Sequence, residues 1–364
     1  NVFLLLTPAL DYPDPAVISY TTSYGELVRK TSDVARKRKM TQTKTPPPPY
    51  EKGYFPVSDG HRLYYERYGN PKGIPVLFLH GGPGAGFHDS DKRFFNPRKF
   101  NVLFFDQRGA GRSKPFAATK GNTSFKLVSD IQNLLAHFSL KKVIIAGGSW
   151  GSTLALLYAI SHPEQVRHLV LRGIFLADKE GIDYYLKGGI RDFYPEQWER
   201  FISLVPKSKQ RNVVAYYLAK MRSSDRRTRS VFAAEWVRYE AEILRMKPNK
   251  KTIERLLNSP VSRSLAVLEA HYMHHRFFLE NNYILRHANH IEHIPATIIH
   301  GRYDFVCPPS QAFRLKKKLP KAKLQIVCAG HSGSEPEIEQ AFISEMSHLA
   351  AKFKRRKKSR KKGK

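Results

Sequence analysis

Glycines flank a serine in Gly147-Gly148-Ser149-Trp150-Gly151, an instance of G-x-S-x-G. A serine hydroxyl attacks a carbonyl only when a base takes its proton and the backbone holds it in place. The neighbouring residues supply the holding. Val143-Ile-Ile-Ala146 is β-branched and apolar, and Leu154-Ala-Leu-Leu-Tyr-Ala-Ile160 forms helix. Strand, sharp turn and helix in that order make a nucleophile elbow. Such a turn admits only small flanking residues, which accounts for Gly147 and Gly151. It lifts the Ser149 hydroxyl above the sheet. The plain alternative is a Gly-rich turn with an ordinary serine.

A base and an acid follow in the order that such elbows use. Ile298-Ile-His-Gly-Arg-Tyr-Asp304 ends one apolar run with a carboxylate, and Val327-Cys-Ala-Gly-His331 ends the next with an imidazole. Asp304 would orient the His331 ring and stabilise its charged form. His331 would take the Ser149 proton and return it to the leaving amine. The chain has fifteen histidines, so one histidine alone means little. Chain order and position at strand ends single out His331. A loop-capping aspartate and a surface histidine are the bland readings. His80-Gly-Gly-Pro-Gly84 follows an earlier strand. The N–H groups of Gly82 and Trp150 are the candidate oxyanion donors, each worth roughly 3 kcal/mol of barrier.

These groups need a frame. Gly53-Tyr-Phe-Pro-Val-Ser58 and Arg62-Leu-Tyr-Tyr-Glu-Arg-Tyr68 flank Asp59-Gly60, the mark of a β-hairpin. Pro75–His80 and Asn101–Asp106 read as buried parallel strands, and Val143–Ala146, His168–Arg172, Ala296–His300 and Lys323–Val327 as further strands. Helical segments separate most of them. That alternation predicts an α/β fold with a mostly parallel, doubly wound sheet. From about Asp178 to Ala288 the chain turns helical and charged, with no good strand. It reads as a cap inserted over the carboxyl edge of the sheet, where ligands of such folds bind. The expected organisation is a catalytic body of residues 50–177 and 289–350 and a helical cap of residues 178–288. An N-terminal extension of residues 1–49 and a basic tail of residues 351–364 complete it. Pro46–Pro49 marks the first boundary, and Met40 is the expected natural start.

Together these words resemble the proline iminopeptidases of the α/β-hydrolase fold. The matching stretches are His80–Gly84, Asp106-Gln-Arg-Gly-Ala-Gly-Arg-Ser113, Gly147–Thr153, Leu171-Arg-Gly-Ile-Phe175, Gly301–Pro308 and Gly330-His-Ser-Gly-Ser-Glu-Pro336. They run in order from about Pro48 to Ala350. The resemblance implies a serine exopeptidase that removes an N-terminal proline from short peptides. It implies that cap carboxylates Glu240 and Glu269 grip the free imino group. It also places Phe175, Tyr185, Met273 and Cys307 around the pyrrolidine ring. Trp236-Val-Arg-Tyr239-Glu240 carries Tyr where the family has a second Trp. Met273 stands where the family usually has Phe, so looser selectivity for proline is expected. Gly333 and Ala110 read as neutral departures, and Cys307 as a site for inhibition by bulky thiol reagents.

Composition bounds the rest. The 364 residues carry 62 basic and 31 acidic side chains, a net charge of +31. Ten of the basic residues lie in Lys352–Lys364 with no acid among them. Such a block is expected to be a solvated, disordered tail with weak polyanion binding. Two cysteines, Cys307 and Cys328, exclude a disulfide framework and fit a reducing cytoplasm. No apolar run is long enough to span a bilayer. No metal-ligand spacing is present, and the serine route needs neither metal nor cofactor. An esterase or amidase on the same frame, and a polyanion-binding protein, are the competing functions.

Overall fold

The computed structural model describes residues 46–362. The expectations for Met40 and for the extension before residue 46 lie outside the described residues.

One eight-stranded sheet runs in the order β1-β2-β4-β3-β5-β6-β7-β8. β1 (Glu51–Pro56) and β2 (Arg62–Gly69) form the antiparallel hairpin, with Phe55 opposite Leu63. Asp59 and Gly60 turn between them with φ of 62° and 76°. Asp-Gly favours that left-handed backbone. β2 also pairs antiparallel with β4 (Phe100–Phe105). The remaining pairings are parallel and join β3 (Ile74–Leu79), β5 (Val143–Ser149), β6 (Val166–Ile174), β7 (Ala296–Gly301) and β8 (Ala322–Val327). Strands covered on both faces carry unbroken apolar runs. β4 is buried from end to end.

Helices cover the sheet. α1 (Ser124–His137) lies beside α2 (Trp150–Ser161), and α2 packs on β5 and β6. α2 is buried from Trp150 to Ile160, so no face of it is polar. A helix apolar all round belongs in a core, and here it is locked under the elbow.

Between β6 and β7 every element is helical. α3 (Lys179–Lys187), α4 (Pro195–Ser203), α5 (Val213–Met221), α6 (Arg226–Ile243), α7 (Lys250–Leu257), α8 (Val261–His274) and α9 (Tyr283–Arg286) follow in turn. They hold their own core, in which Phe201 stacks on Tyr217 and Tyr239 at centroid distances of 4.4 and 4.6 Å. This insertion touches loops at the carboxyl edge of the sheet. The Ser264 hydroxyl donates to the Gly84 carbonyl at 2.9 Å. The His331 N–H donates to the Leu244 carbonyl at 3.0 Å.

After β7, α10 (Pro309–Lys318) leads to β8, and α11 (Pro336–Lys362) ends the described chain. The basic block, expected from its charge to be a disordered tail, is helical over its described part. It is helical to Lys362, continuous with α11. Lys and Arg are good helix formers, and cations suit a helix carboxyl end. Buried Phe342, Met346 and Leu349 anchor the first turns. Among the described residues no helix is long and apolar enough to cross a membrane.

The elbow leaves no room for side chains. A Cβ added at Gly151 would lie 2.1 Å from the Leu79 carbonyl oxygen, and one at Gly147 would lie 2.7 Å from the Gly151 carbonyl oxygen. Both obstacles are backbone. Gly151→Ala is therefore expected to cost about 3 kcal/mol or more of stability, read as a lower midpoint in urea. An unchanged midpoint would show that the turn can relax.

Candidate active site

Ser149 ends β5 and caps α2, with φ 56° and ψ −130°. A non-glycine residue held there stores about 1–3 kcal/mol of strain. The buried strand before it and the buried helix after it impose that conformation. The first N–H groups of a helix have no acceptor within it, so the Trp150 N–H is free of the α2 ladder.

The loop after β3 lies against the nucleophile. A Cβ built on Gly81 would sit 3.4 Å from Ser149 Cβ, ordinary contact. His80 anchors this loop. Its Nε2 accepts the Gln107 N–H at 2.9 Å, so its Nδ1 carries the proton and donates to the Gly81 carbonyl at 2.8 Å. Burial pushes its pKa down to about 4 and keeps the ring neutral. The Gln107 amide donates to the His80 carbonyl at 3.0 Å and accepts from the Trp150 indole at 2.7 Å. One glutamine thus ties the candidate oxyanion loop to the elbow. Gly82 has φ 106°, and no hydrogen bond among the described residues engages its N–H.

Asp304 and His331 meet as their chain order predicts. His331 Nδ1 lies 2.7 Å from Asp304 Oδ2. The other carboxylate oxygen accepts the N–H groups of Val306 at 3.1 Å and Cys307 at 2.8 Å. Burial alone would raise the Asp304 pKa. The His331 charge and hydrogen bond, His300 and the Cys307 N–H outweigh it and hold the carboxyl below its usual value. Ser149 and His331 both lie beside the end of β6. Ser149 pairs with Ile174, and a Cβ on Gly173 would sit 3.0 Å from His331 Cε1. No hydrogen bond joins them in this structure, and the buried His331 Nε2 has no partner. Such bonds often tighten only when substrate binds.

Two supporting residues were not singled out by sequence reasoning. His300 accepts the Ile174 N–H on Nδ1 at 3.1 Å, so its Nε2 donates to the Cys307 carbonyl at 2.8 Å. It joins the ends of β6 and β7 to the Asp304 loop. Arg172 donates to the His331 carbonyl at 3.2 Å. Its side chain passes over Gly148 and Gly333, where a Cβ would lie 2.4 and 2.6 Å from its atoms. An alanine at Gly333 would thus require the Arg172 guanidinium to shift. Both residues lie within quoted motifs, but only tertiary contacts reveal their work.

The cap brings two carboxylates together. Glu240 lies on α6, and its Oε2 is 3.5 Å from the Tyr185 hydroxyl. Glu269 lies on α8 and is 2% exposed, and the Trp236 indole donates to it at 2.9 Å. Burial, then the Glu240 charge and a hydrogen bond with Glu240, hold the Glu269 carboxyl protonated well above the usual range. Phe175 and Met273 pack against the apolar cluster that holds Tyr185 and Cys307. The Cys307 thiol feels both Asp304 and Glu240, which puts it between the candidate acid and the paired glutamates. It is 2% exposed, and burial, followed by those charges, pushes its pKa well above that of a free thiol. Ready modification of Cys307 by bulky reagents is therefore not expected, since the thiolate is the reactive form. Cys328 is the exposed cysteine.

The paired carboxyls make stability fall with pH. Unfolded Glu titrates near 4.3, and folded Glu269 titrates well above that. Between the two values the folded chain binds the extra proton, so stability drops as pH rises. Glu269→Gln keeps an acceptor for Trp236 and needs no proton. It is expected to flatten this fall and to gain on the order of 1 kcal/mol at alkaline pH. Melting temperatures from pH 5 to 9 decide it, and parallel curves for the two proteins would refute the shared proton.

The family model for the alpha/beta hydrolase fold matches residues 74–337. A proline iminopeptidase from Arabidopsis thaliana is 42% identical over 298 residues, which cover 81% of this chain and 78% of that protein. One from Xylella fastidiosa is 41% identical and covers 81% and 95%. An esterase from Exiguobacterium antarcticum superposes with a TM-score of 0.59 at 20% identity, covering 82% of this chain and 99% of that one. That last likeness concerns the fold alone. The elbow, the strand-end acid and histidine, and the extent of these matches lead to one assignment: the chain belongs to the proline iminopeptidase family of α/β hydrolases.

Proposed function

We propose that the protein releases proline from the amino terminus of short peptides through Ser149, His331 and Asp304. The Ser149 proton passes to His331 Nε2 as Oγ bonds to the prolyl carbonyl carbon. The oxygen becomes an anion facing the Gly82 and Trp150 N–H groups. Asp304 stabilises the imidazolium. Collapse breaks the C–N bond, and the leaving amine takes the proton from His331. Water, activated by the same histidine, then splits the prolyl ester and frees Ser149.

The observation that carries this reading is the pair of Glu240 and Glu269, the first half-buried and the second buried. A buried Glu269 carboxyl beside a second carboxylate, in an apolar wall, lacks a cation. A protonated imino terminus supplies one, with charge-assisted hydrogen bonds. Phe175, Tyr185, Met273 and Cys307 then border the pyrrolidine ring. A peptide with a blocked terminus has no charge to offer. The two free cysteines fit a reducing cytoplasm. The block Lys352–Lys364 serves at most as a weak, salt-sensitive contact for polyanions.

Release of a chromogenic amine from prolyl, alanyl and N-blocked prolyl amides tests the proposal. Free prolyl amide should be cleaved and the blocked one spared. Ser149→Ala should lower kcat by about 10³-fold or more, and Glu240→Gln should raise KM by about 10-fold or more. Equal cleavage of the blocked amide would point instead to a general amidase or esterase. Methionine deforms more readily than a ring. Met273→Phe is thus expected to raise the preference for prolyl over alanyl amide, and an unchanged ratio would remove Met273 from the pocket.

A further inference from the structure

A second hollow, of about 470 Å³, lies where the helical insertion meets the loop after β4. Lys120 comes from that loop, Arg222 from the end of α5, Arg229 from α6 and Arg263 from α8. No carboxylate lines the hollow. Arg222 donates to the Thr119 hydroxyl at 3.1 Å, and Arg229 donates to the Ser223 and Ser224 carbonyls at 2.8 and 2.6 Å. Among the described residues none of the four forms a salt bridge. Asp225 feels the Arg229 charge, but its oxygens accept the N–H groups of Arg227 and Thr228 at the head of α6. Four cations from four segments therefore converge on a concavity without a counter-charge. Lys120, Arg222 and Arg263 are exposed and Arg229 is half-buried, so water screens their repulsion, and an anion that joined them would meet donors from all four segments.

The position narrows the choice of anion. Arg263 and Glu269 share α8, six residues apart, or about 9 Å along the axis. Ser264, beside Arg263, hydrogen-bonds the Gly84 carbonyl of the candidate oxyanion loop. An extended peptide advances about 3.3–3.6 Å per residue. A chain whose first residue sits at Glu269 spans that distance within two or three residues.

We propose that this hollow is a subsite for a carboxylate two or three residues downstream of the scissile bond. The inference rests on recognition of the terminus at Glu240 and Glu269. The carboxylate is either the C-terminus of a tripeptide or an acidic side chain of a longer one. Guanidinium groups suit both, because their paired N–H donors match carboxylate geometry.

Steady-state kinetics with Pro-Gly-Gly, Pro-Gly-Gly-amide and Pro-Gly-Glu-amide test it, in the wild type and in the Arg222→Gln, Arg263→Gln double variant. A neutral prolyl arylamide is the reference. In the wild type the KM of Pro-Gly-Gly should lie about tenfold below that of its amide, the worth of one charge-assisted hydrogen bond. A similarly low KM for Pro-Gly-Glu-amide assigns the site to side chains as well, and a high one restricts it to the C-terminus. The double variant should erase the difference and leave arylamide turnover unchanged. High salt should shrink it. Equal KM values for acid and amide in the wild type, or a preference that survives the double substitution, overturn the proposal. Calorimetric binding of the same peptides to Ser149→Ala reads the subsite without turnover. Failure of the arylamide to react would thus be seen separately, as failure of the proline reading.

Discussion

The contact between Gly151 and the Leu79 carbonyl sets the geometry on which the rest depends. Leu79 ends β3, and Gly151 lies in the first turn of α2. Because no atom fits between them, the end of β3 and the start of α2 have one relative position. The chain leaving β3 becomes the glycine loop, and the chain entering α2 has just passed Ser149. One steric contact therefore places the Ser149 hydroxyl and the loop facing it. Gln107 then binds both sides, through the His80 carbonyl and the Trp150 indole. The strain at Ser149 is borne by a helix with no polar face on which to slide.

Around this core, buried charges position loops. Arg108 makes a two-pronged pair with Asp130 at 2.6 and 2.7 Å and also reaches Asp59 at 2.9 Å. Asp106 receives Arg112 and the Phe87 N–H, fixing the two loops on its flanks. Taking such ions out of water costs several kcal/mol each, so these pairs are poor evidence of stability. What they secure is shape. The word Asp106–Ser113 reads like a functional signature, yet its residues brace the segments from which the site is built.

Much of the frame was legible in the sequence, because strands buried on both faces must be apolar and tight turns must be glycine. The hairpin at Asp59-Gly60, the buried strands β3 and β4 and the strandless insertion follow from such local rules, while β8 at the sheet edge is only half-buried. Ser149, Asp304 and His331 were legible because chain order and strand ends constrain them together. Glu240 and Glu269 were not, for a helical glutamate has no local mark that separates a solvated face from a buried clamp. Only family resemblance pointed to them. His300, Arg172 and the burial of Cys307 were hidden for a related reason: each depends on contacts between distant segments. The helical course of the basic block up to Lys362 follows from the helix propensity of Lys and Arg, which charge alone does not announce.

Leu244 accepts hydrogen bonds from the N–H groups of both His331 and Ser332. It follows directly on α6, the helix that carries Glu240. The segment that carries the proposed terminus-binding Glu240 therefore also holds the backbone of His331, the proposed base. Such a cap is not an exchangeable module. A transplanted cap that lacked a carbonyl at this point would change selectivity and leave the histidine loosely held. Drift in substrate preference within this scaffold is thus confined to side chains, while the path of the insertion's backbone stays bound to the chemistry beneath it.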